Sequence, residues 1–188
     1  LTVSRLAEDR YFIVTGTGFA THDLDWIARS IPEGLDARIT DVTSAYATLV
    51  LMGPEARRIL SSISRDDLSP AGFPFGRARF IQAGGCPVLA LRVTYVGELG
   101  WELHVPTEFA LTLFEALMAA GRPLGLRLAG YRAIESLRLE KGYRAWGAEI
   151  GPDHSPLVAG LGAFAKLKKD IPFRGRAALE AQAAAPTP

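Results

Sequence analysis

The sequence contains a single cysteine, Cys86, and only three histidines among 188 residues. One thiol cannot form an internal disulfide framework or a thiolate metal cluster. His22, His104 and His154 do not have the spacing of a zinc site, so the sequence argues against a bound metal. Cys86 is predicted to be inert and packed, and His104 is predicted to lie at the surface of its strand.

Strong charge and long apolar runs are also lacking. The formal net charge is +1 without runs of like charge, which argues against a nucleic-acid surface. No apolar run approaches the roughly 18 residues of a membrane span, and no signal peptide opens the sequence. These absences predict a soluble, cytoplasmic protein without a nucleic-acid or membrane partner.

What is present is the composition of a folded protein, 48% hydrophobic and 22% charged. The first six residues alternate like a strand already under way, without an initiator Met. The Ala- and Pro-rich end, residues 183–188, predicts a linker tail. We therefore expect a piece of a longer polypeptide, truncated at both ends.

Strand and helix patterns alternate and predict an α+β fold of antiparallel sheets with helices packed on one face. The predicted strands are 1–6, 11–14, 37–40, 45–52, 77–82, 88–93 and 101–105. The predicted helices are 21–28, with Thr21 or Asp23 as the cap, then 53–63, 108–120, 131–141 and 176–182. The strand at 45–52 is apolar almost throughout, which predicts a central position. Residues 1–70 and 71–182 are predicted to be two subdomains.

The most distinctive segment is the loop between the last two predicted strands, residues 94–100. It carries one acid, Glu98, between two glycines, with Tyr95 and Trp101 on either side. Glycine allows a tight turn and close approach of a ligand, aromatic rings offer flat apolar faces, and a carboxylate can accept two N–H donors. The combination suits a pterin or purine-like ring. The alternative is an ordinary hairpin turn with a solvated Glu98.

A second segment, Gly16-Thr17-Gly18, follows a strand and precedes a helix, as in a dinucleotide-binding fingerprint. Thr21 replaces the third glycine, and neither Asp36 nor Asp41 is well placed to bind a ribose. The sequence favours a tight strand-to-helix turn whose backbone is exposed to some other ligand.

The helix at 131–141 places Arg132 in its first turn, where the macrodipole disfavours a cation. Arg132 therefore either anchors an acidic ligand or pairs with Glu135, which is also a candidate partner of Arg138. Tyr143 and Trp146 follow the helix and are candidates for core packing or for a stacking surface.

Four segments in order along the chain resemble landmarks of the glycine-cleavage T-protein (aminomethyltransferase) family. They are residues 95–103, 133–147, 157–162 and 173–179. Residues 140–147, Glu-Lys-Gly-Tyr-Arg-Ala-Trp-Gly, are most similar to the branch fused behind FAD-dependent dimethylglycine and sarcosine dehydrogenases or oxidases. The resemblance covers nearly the whole chain and implies the aminomethyltransferase folate-binding fold.

The resemblance implies a tetrahydrofolate site. Glu98 matches the glutamate that binds the N–H edge of the pterin, Arg132 an arginine near the folate, and Tyr143 an aromatic position beside the ligand. The full set of implied binding residues is Glu98, Leu99, Gly100, Arg132, Tyr143, Thr2, Gly16 and Tyr95.

The family's catalytic aspartate is expected immediately before Leu1, so no catalytic residue is predicted within the chain. The FAD module and a C-terminal barrel are also expected outside it. The implied parent oxidises an N-methyl amine, and this region holds tetrahydrofolate to accept the one-carbon unit as methylene-tetrahydrofolate. The chain alone is expected to be inactive, and exposed apolar surface would favour a homodimer.

A non-catalytic, folate-sensing or regulatory relative is the alternative to this enzyme. The iron–sulfur maintenance branch is disfavoured, because Tyr143 follows Lys141-Gly142 where that branch carries a cysteine.

Overall fold

The computed structural model describes residues 1–185. The chain divides into two compact units, of which the first is Leu1–Glu135 and the second begins at Ser136. The division predicted from the sequence at residue 70 does not coincide with this boundary. Residues 186–188 of the predicted linker tail lie outside the described residues.

The elements follow the predicted alternation of strand and helix. The strands are β1 (Thr2–Arg5), β2 (Tyr11–Val14), β3 (Tyr46–Met52), β4 (Ala78–Ala83), β5 (Cys86–Leu91) and β6 (Gly100–Pro106). The α-helices are α1 (Ala20–Ser30), α2 (Ala56–Ile63), α3 (Ala110–Gly121), α4 (Tyr131–Glu140) and α5 (Arg176–Ala184).

Both sheets of the first unit are antiparallel. Strands β1 and β2 form a hairpin, and the other four strands are ordered β3-β6-β5-β4. The predicted central position of the 45–52 strand is therefore wrong, since β3 lies at an edge and exposes Val50. Strand β6 takes an inner position and is buried along most of its length, because both of its faces are covered.

Helices α2 and α3 pack against one face of the four-stranded sheet, which confirms the predicted α+β architecture. From β6 this face presents Trp101, Leu103 and Val105, all fully buried. The helices add apolar side chains to the same core: Ala56, Ile59, Leu60, Leu113 and Leu117. Burial of such side chains stabilises a fold by roughly 25 cal/mol per Å² of apolar surface.

Side chains of the opposite face meet the β1–β2 hairpin. The ring of Phe12 lies edge-on to His104, with 5.2 Å between ring centroids, and 5.6 Å from the ring of Tyr46. His104 is only 2% exposed. Its predicted surface position is wrong, because the hairpin covers a face that the strand pattern alone leaves open.

Two local predictions around α1 are also wrong. Residues 37–40 form no strand. Helix α1 begins after a single 3₁₀ turn, Thr17–Phe19, and its N-cap residue is Phe19 without a side-chain cap. The carboxylate of Asp23 instead accepts hydrogen bonds from Thr15 and His22, so neither Thr21 nor Asp23 caps the helix.

The second unit contains the second half of α4, all of α5 and the irregular chain between them. Among its described residues, only Arg138 and Ala159 are buried. Within residues 1–185, no helix is long and apolar enough to cross a membrane.

Candidate functional site

The loop between β5 and β6 is fixed at both ends. The backbone N–H of Val96 donates to Thr94 Oγ1 at 3.2 Å, and the N–H of Gly53 donates to the Leu99 carbonyl at 2.8 Å. Gly97 has a φ of 77°, in the left-handed region where glycine is strongly preferred. The loop is therefore held in one turn conformation directly before and after Glu98.

Gly100 has a different role from Gly97. A Cβ built on Gly100 would collide with the Leu51 carbonyl oxygen and with Met52 of β3. Gly100 is thus required for the close approach of β6 to its neighbouring strand. This packing requirement explains the residue without a ligand.

Glu98 itself is exposed, and no described residue forms a hydrogen bond or ion pair with its carboxylate. Tyr95, 42% exposed, lies on the same loop. Trp101 is instead fully buried, with the guanidinium groups of Arg57 and Arg92 5.9 and 5.8 Å from its ring centroid. The expectation that both aromatics face a ligand is therefore wrong for Trp101.

Thr2 and Gly16 lie near one end of the hairpin. Thr2 pairs with Val14, two residues before Gly16. Gly16 is exposed with a φ of −68°, and a Cβ there would meet nothing closer than the Phe19 ring at 3.5 Å. The fold would therefore accept a side chain at position 16, and with glycine there the backbone surface is open.

A polar cluster that the sequence did not predict adjoins this turn. Thr15 Oγ1 donates to Asp23 Oδ2, and His22 Nδ1 lies 2.9 Å from Asp23 Oδ1. These hydrogen bonds hold the pKa of the Asp23 carboxyl below its ordinary value, and the hydrogen bond from Thr15 has the largest effect. The cluster joins the end of β2 to α1.

Arg132 lies in the first turn of α4 and is exposed. It has no hydrogen-bond or ion-pair partner among residues 1–185, so the alternative pairing with Glu135 is not formed. A cation at a helix N-terminus gains nothing from the macrodipole. Arg132 is thus available to an anionic ligand.

Tyr143, half-buried, lies just beyond α4, where Arg138 and Glu149 form a bidentate ion pair. Arg138 Nη1 also donates to the Tyr143 carbonyl at 2.9 Å. The hydrogen bond from Arg138 and, with a smaller effect, the one from the Ala145 N–H hold the pKa of the Glu149 carboxyl below its ordinary value. Sequence reasoning missed Glu149, because its separation from Arg138 follows no helical or strand period.

Residues 1–169 match the GCVT N-terminal domain. The chain belongs to this family. Membership confirms the resemblance to the T-protein family that the sequence motifs indicate.

Relatives of this GCVT domain include two dehydrogenases. Sarcosine dehydrogenase, mitochondrial, of Homo sapiens is 42% identical over 199 residues, which cover 98% of this chain and 22% of that protein. Dimethylglycine dehydrogenase, mitochondrial, of Mus musculus is 41% identical over 181 residues, which cover 96% of this chain and 21% of that protein. The pyruvate dehydrogenase phosphatase regulatory subunit, mitochondrial, of Mus musculus is 33% identical over 179 residues, which cover 95% of this chain and 20% of that protein. The chain spans about a fifth of the length of these relatives.

The structure of the GCVT domain places Tyr95, Glu98 and Leu99 on one loop, and Gly100 follows them as the first residue of β6. The other predicted residues lie on separate elements. Two cavities of about 640 and 370 Å³ occur in the second unit, lined by parts of 156–179, and none of the predicted site residues lines them. Among the residues described, no three His, Cys, Asp or Glu side chains are grouped to hold a metal ion.

Proposed function

We propose that this chain is the tetrahydrofolate-binding, one-carbon-transfer region of a flavin-dependent oxidoreductase that acts on an N-methyl amine of the dimethylglycine or sarcosine type. Family membership and the two similar dehydrogenases support the class of protein. The observation that carries the proposal is the exposed, unpartnered Glu98 carboxylate on a loop fixed at both ends. A carboxylate without an internal partner is available to a ligand.

The residues present fit the chemistry of a reduced folate. The Glu98 carboxylate can accept two N–H bonds from the edge of the pterin, and such charge-assisted pairs are short and strong. Arg132, an exposed cation without a described partner, suits the carboxylates of the glutamyl tail. Tyr95 and Tyr143 offer aromatic faces for the ring system. When bound, tetrahydrofolate supplies the nucleophilic nitrogen that accepts the one-carbon unit.

This chain's own residues bind and orient the folate. Leu99 and Gly100 contribute to the shape of the binding loop through the backbone. The Leu99 carbonyl accepts a hydrogen bond from the Gly53 N–H, and Gly100 allows the start of β6 to lie close to β3. Pre-organisation of this kind reduces the entropy cost of binding. Oxidation by FAD, the catalytic aspartate and the channel-closing barrel are assigned to other parts of a longer polypeptide, so the chain alone is expected to be inactive.

The test is calorimetric titration with 5-formyltetrahydrofolate. We expect Glu98→Ala to weaken binding by about 2–3 kcal/mol, the scale of a lost charge-assisted pair. Glu108→Ala is the matched control, because Glu108 is an exposed glutamate of the same unit just after β6 and has no described partner. Equal binding by both variants would contradict the role of Glu98. No binding by this chain or by the longer protein containing it would contradict the function.

A non-catalytic folate sensor is the second candidate. It is supported by the similarity to the pyruvate dehydrogenase phosphatase regulatory subunit, whose name is that of a regulatory protein. The longer protein distinguishes the two candidates in an assay of sarcosine and dimethylglycine oxidation with an artificial electron acceptor and tetrahydrofolate. Turnover supports the oxidoreductase, whereas folate binding without turnover supports the sensor.

We also propose a test of the location and of the assembly state. The named relatives are mitochondrial proteins, whereas the sequence predicts a cytoplasmic location. Direct localisation of the tagged longer protein distinguishes these two locations. The hairpin exposes Val3, Tyr11 and Ile13, and Leu1 directly before it is also exposed, consistent with the expected homodimer of the isolated chain. Analytical ultracentrifugation tests that assembly.

A further inference from the structure

The segment that follows α4 is organised around one ion pair. Arg138 Nη1 and Nη2 donate to the two carboxylate oxygens of Glu149 at 3.0 and 2.9 Å. Nη1 also donates to the Tyr143 carbonyl, at 2.9 Å, and Glu149 Oε2 accepts the Ala145 N–H at 2.7 Å. The pair thus fastens the backbone on both sides of Arg144.

The burial of Arg138 makes the geometry of this pair demanding. Arg138 is 1% exposed, whereas the Glu149 side chain is 38% exposed. A buried guanidinium without its carboxylate is strongly unfavourable, so the segment cannot move away from Arg138 at low cost. Bidentate pairing also fixes the relative orientation of the two groups.

Backbone hydrogen bonds also fix the path of this segment, and the Tyr143 N–H donates to the Arg138 carbonyl at 2.9 Å. Gly142 and Gly147 bound it with φ values of 74° and 89°, a left-handed conformation at both ends. The side chains between them that are described are exposed or half-buried. At its far end the Gly147 N–H donates to the Ile150 carbonyl at 2.8 Å, and the Glu149 N–H donates to the Ala145 carbonyl at 3.1 Å. The ion pair adds side-chain contacts at the Tyr143 carbonyl and the Ala145 N–H, and so contributes to the position of Tyr143.

We infer that Arg138 and Glu149 are positioning residues, which hold Tyr143 in the place from which it contacts the folate. The inference rests on the proposed function. It adds two residues that touch no ligand themselves and act through Tyr143.

The experiment compares Glu149→Gln with Glu149→Asp, which keeps the charge but shortens the side chain. Glu180→Gln is the matched control, because Glu180 forms an ion pair with Arg176 in α5, at 2.7 Å. We expect faster tryptic cleavage after Lys141 and Arg144 in both Glu149 variants, and not in the control. We also expect each of these two variants to bind 5-formyltetrahydrofolate about tenfold more weakly, the lower end of the effect seen when supporting partners of a site are lost.

A double-mutant cycle with Tyr143→Ala separates positioning from general stability. If the pair acts through Tyr143, Glu149→Gln causes no further loss of affinity when Tyr143 is already alanine. An equal additional loss in that background would overturn the inference. If Glu149→Gln unfolds the chain, the same cycle is measured with Glu149→Asp.

Failure of this inference and failure of the proposed function give different results. Wild-type binding that Glu98→Ala weakens but neither Glu149 variant changes overturns only the positioning role. Absence of wild-type binding in both the chain and the longer protein overturns the proposed function and, with it, this role.

Discussion

Glycine residues of the candidate loop show how one residue type serves two physical purposes. Gly97 supplies a left-handed backbone, whereas Gly100 supplies the space that lets β6 pair with β3. Sequence reasoning assigned both to turn formation and ligand approach. The register of Gly100 opposite Met52, which decides its role, is fixed only once the strands pair.

Substitution of Gly100 by alanine tests this role. Because the new Cβ would collide with backbone and side-chain atoms of β3, we expect Gly100→Ala to lower the free energy of unfolding by about 1–3 kcal/mol. Gly18→Ala is the control, since Gly18 has a negative φ and no atom within 4 Å of its Cβ, and should change stability by less than about 0.5 kcal/mol. Urea denaturation measures both. Equal effects of the two substitutions would show that the contact with β3 is relieved at no cost.

At the scale of elements, a bidentate ion pair links α4 to the segment that follows it. Glu149 accepts hydrogen bonds from Arg138 and Ala145, so its folded-state pKa lies below the ordinary glutamate value. A lowered carboxyl pKa stabilises the folded form above the unfolded-state pKa. That stabilisation is lost as the pH falls through the folded-state pKa.

Acid titration checks this link. We expect the amide resonances of Tyr143 and Ala145 to stay constant from about pH 6 until the pH falls below the ordinary glutamate pKa of roughly 4.3. They should then shift together, because protonation of Glu149 breaks its pairing with Arg138. Glu149→Gln should abolish this shift. A midpoint at or above the ordinary value would contradict the ion pair.

Prediction of elements succeeded where the local pattern was strong and failed where neighbours decided the outcome. The helix predicted at 131–141 is observed as Tyr131–Glu140, because its apolar spacing and Gly142 define it locally. The 45–52 strand was predicted to be central from its apolar run, but order within a sheet depends on pairing with β6 and β5. Residues 37–40 have strand-like propensity and no pairing strand.

At the scale of the whole molecule, the two units differ in how much apolar surface they bury. The first has a core formed by α2, α3 and the four-stranded sheet, whereas in the second only Arg138 and Ala159 are buried among the described residues. Few buried apolar contacts imply low local stability.

Hydrogen exchange is expected to show this difference. Amides of residues 136–185, which include the second half of α4 and all of α5, should exchange well before those of β5 and β6. Mass spectrometry of peptic peptides resolves the two regions. Uniform protection across the chain would contradict the division, and protection of 136–185 gained on adding 5-formyltetrahydrofolate would further support the proposed site.

The sequence by itself determined the family, the α+β class, most element positions and the candidate Glu98 loop, because these depend on local patterns and on motifs in order along the chain. The tertiary structure alone decided that His104 and Trp101 are buried, that Gly100 serves strand packing, and that Arg138 pairs with Glu149. Each of these depends on which distant segment covers or meets the residue. Such contacts leave no period in the sequence, since they are made only after the strands and helices pack together.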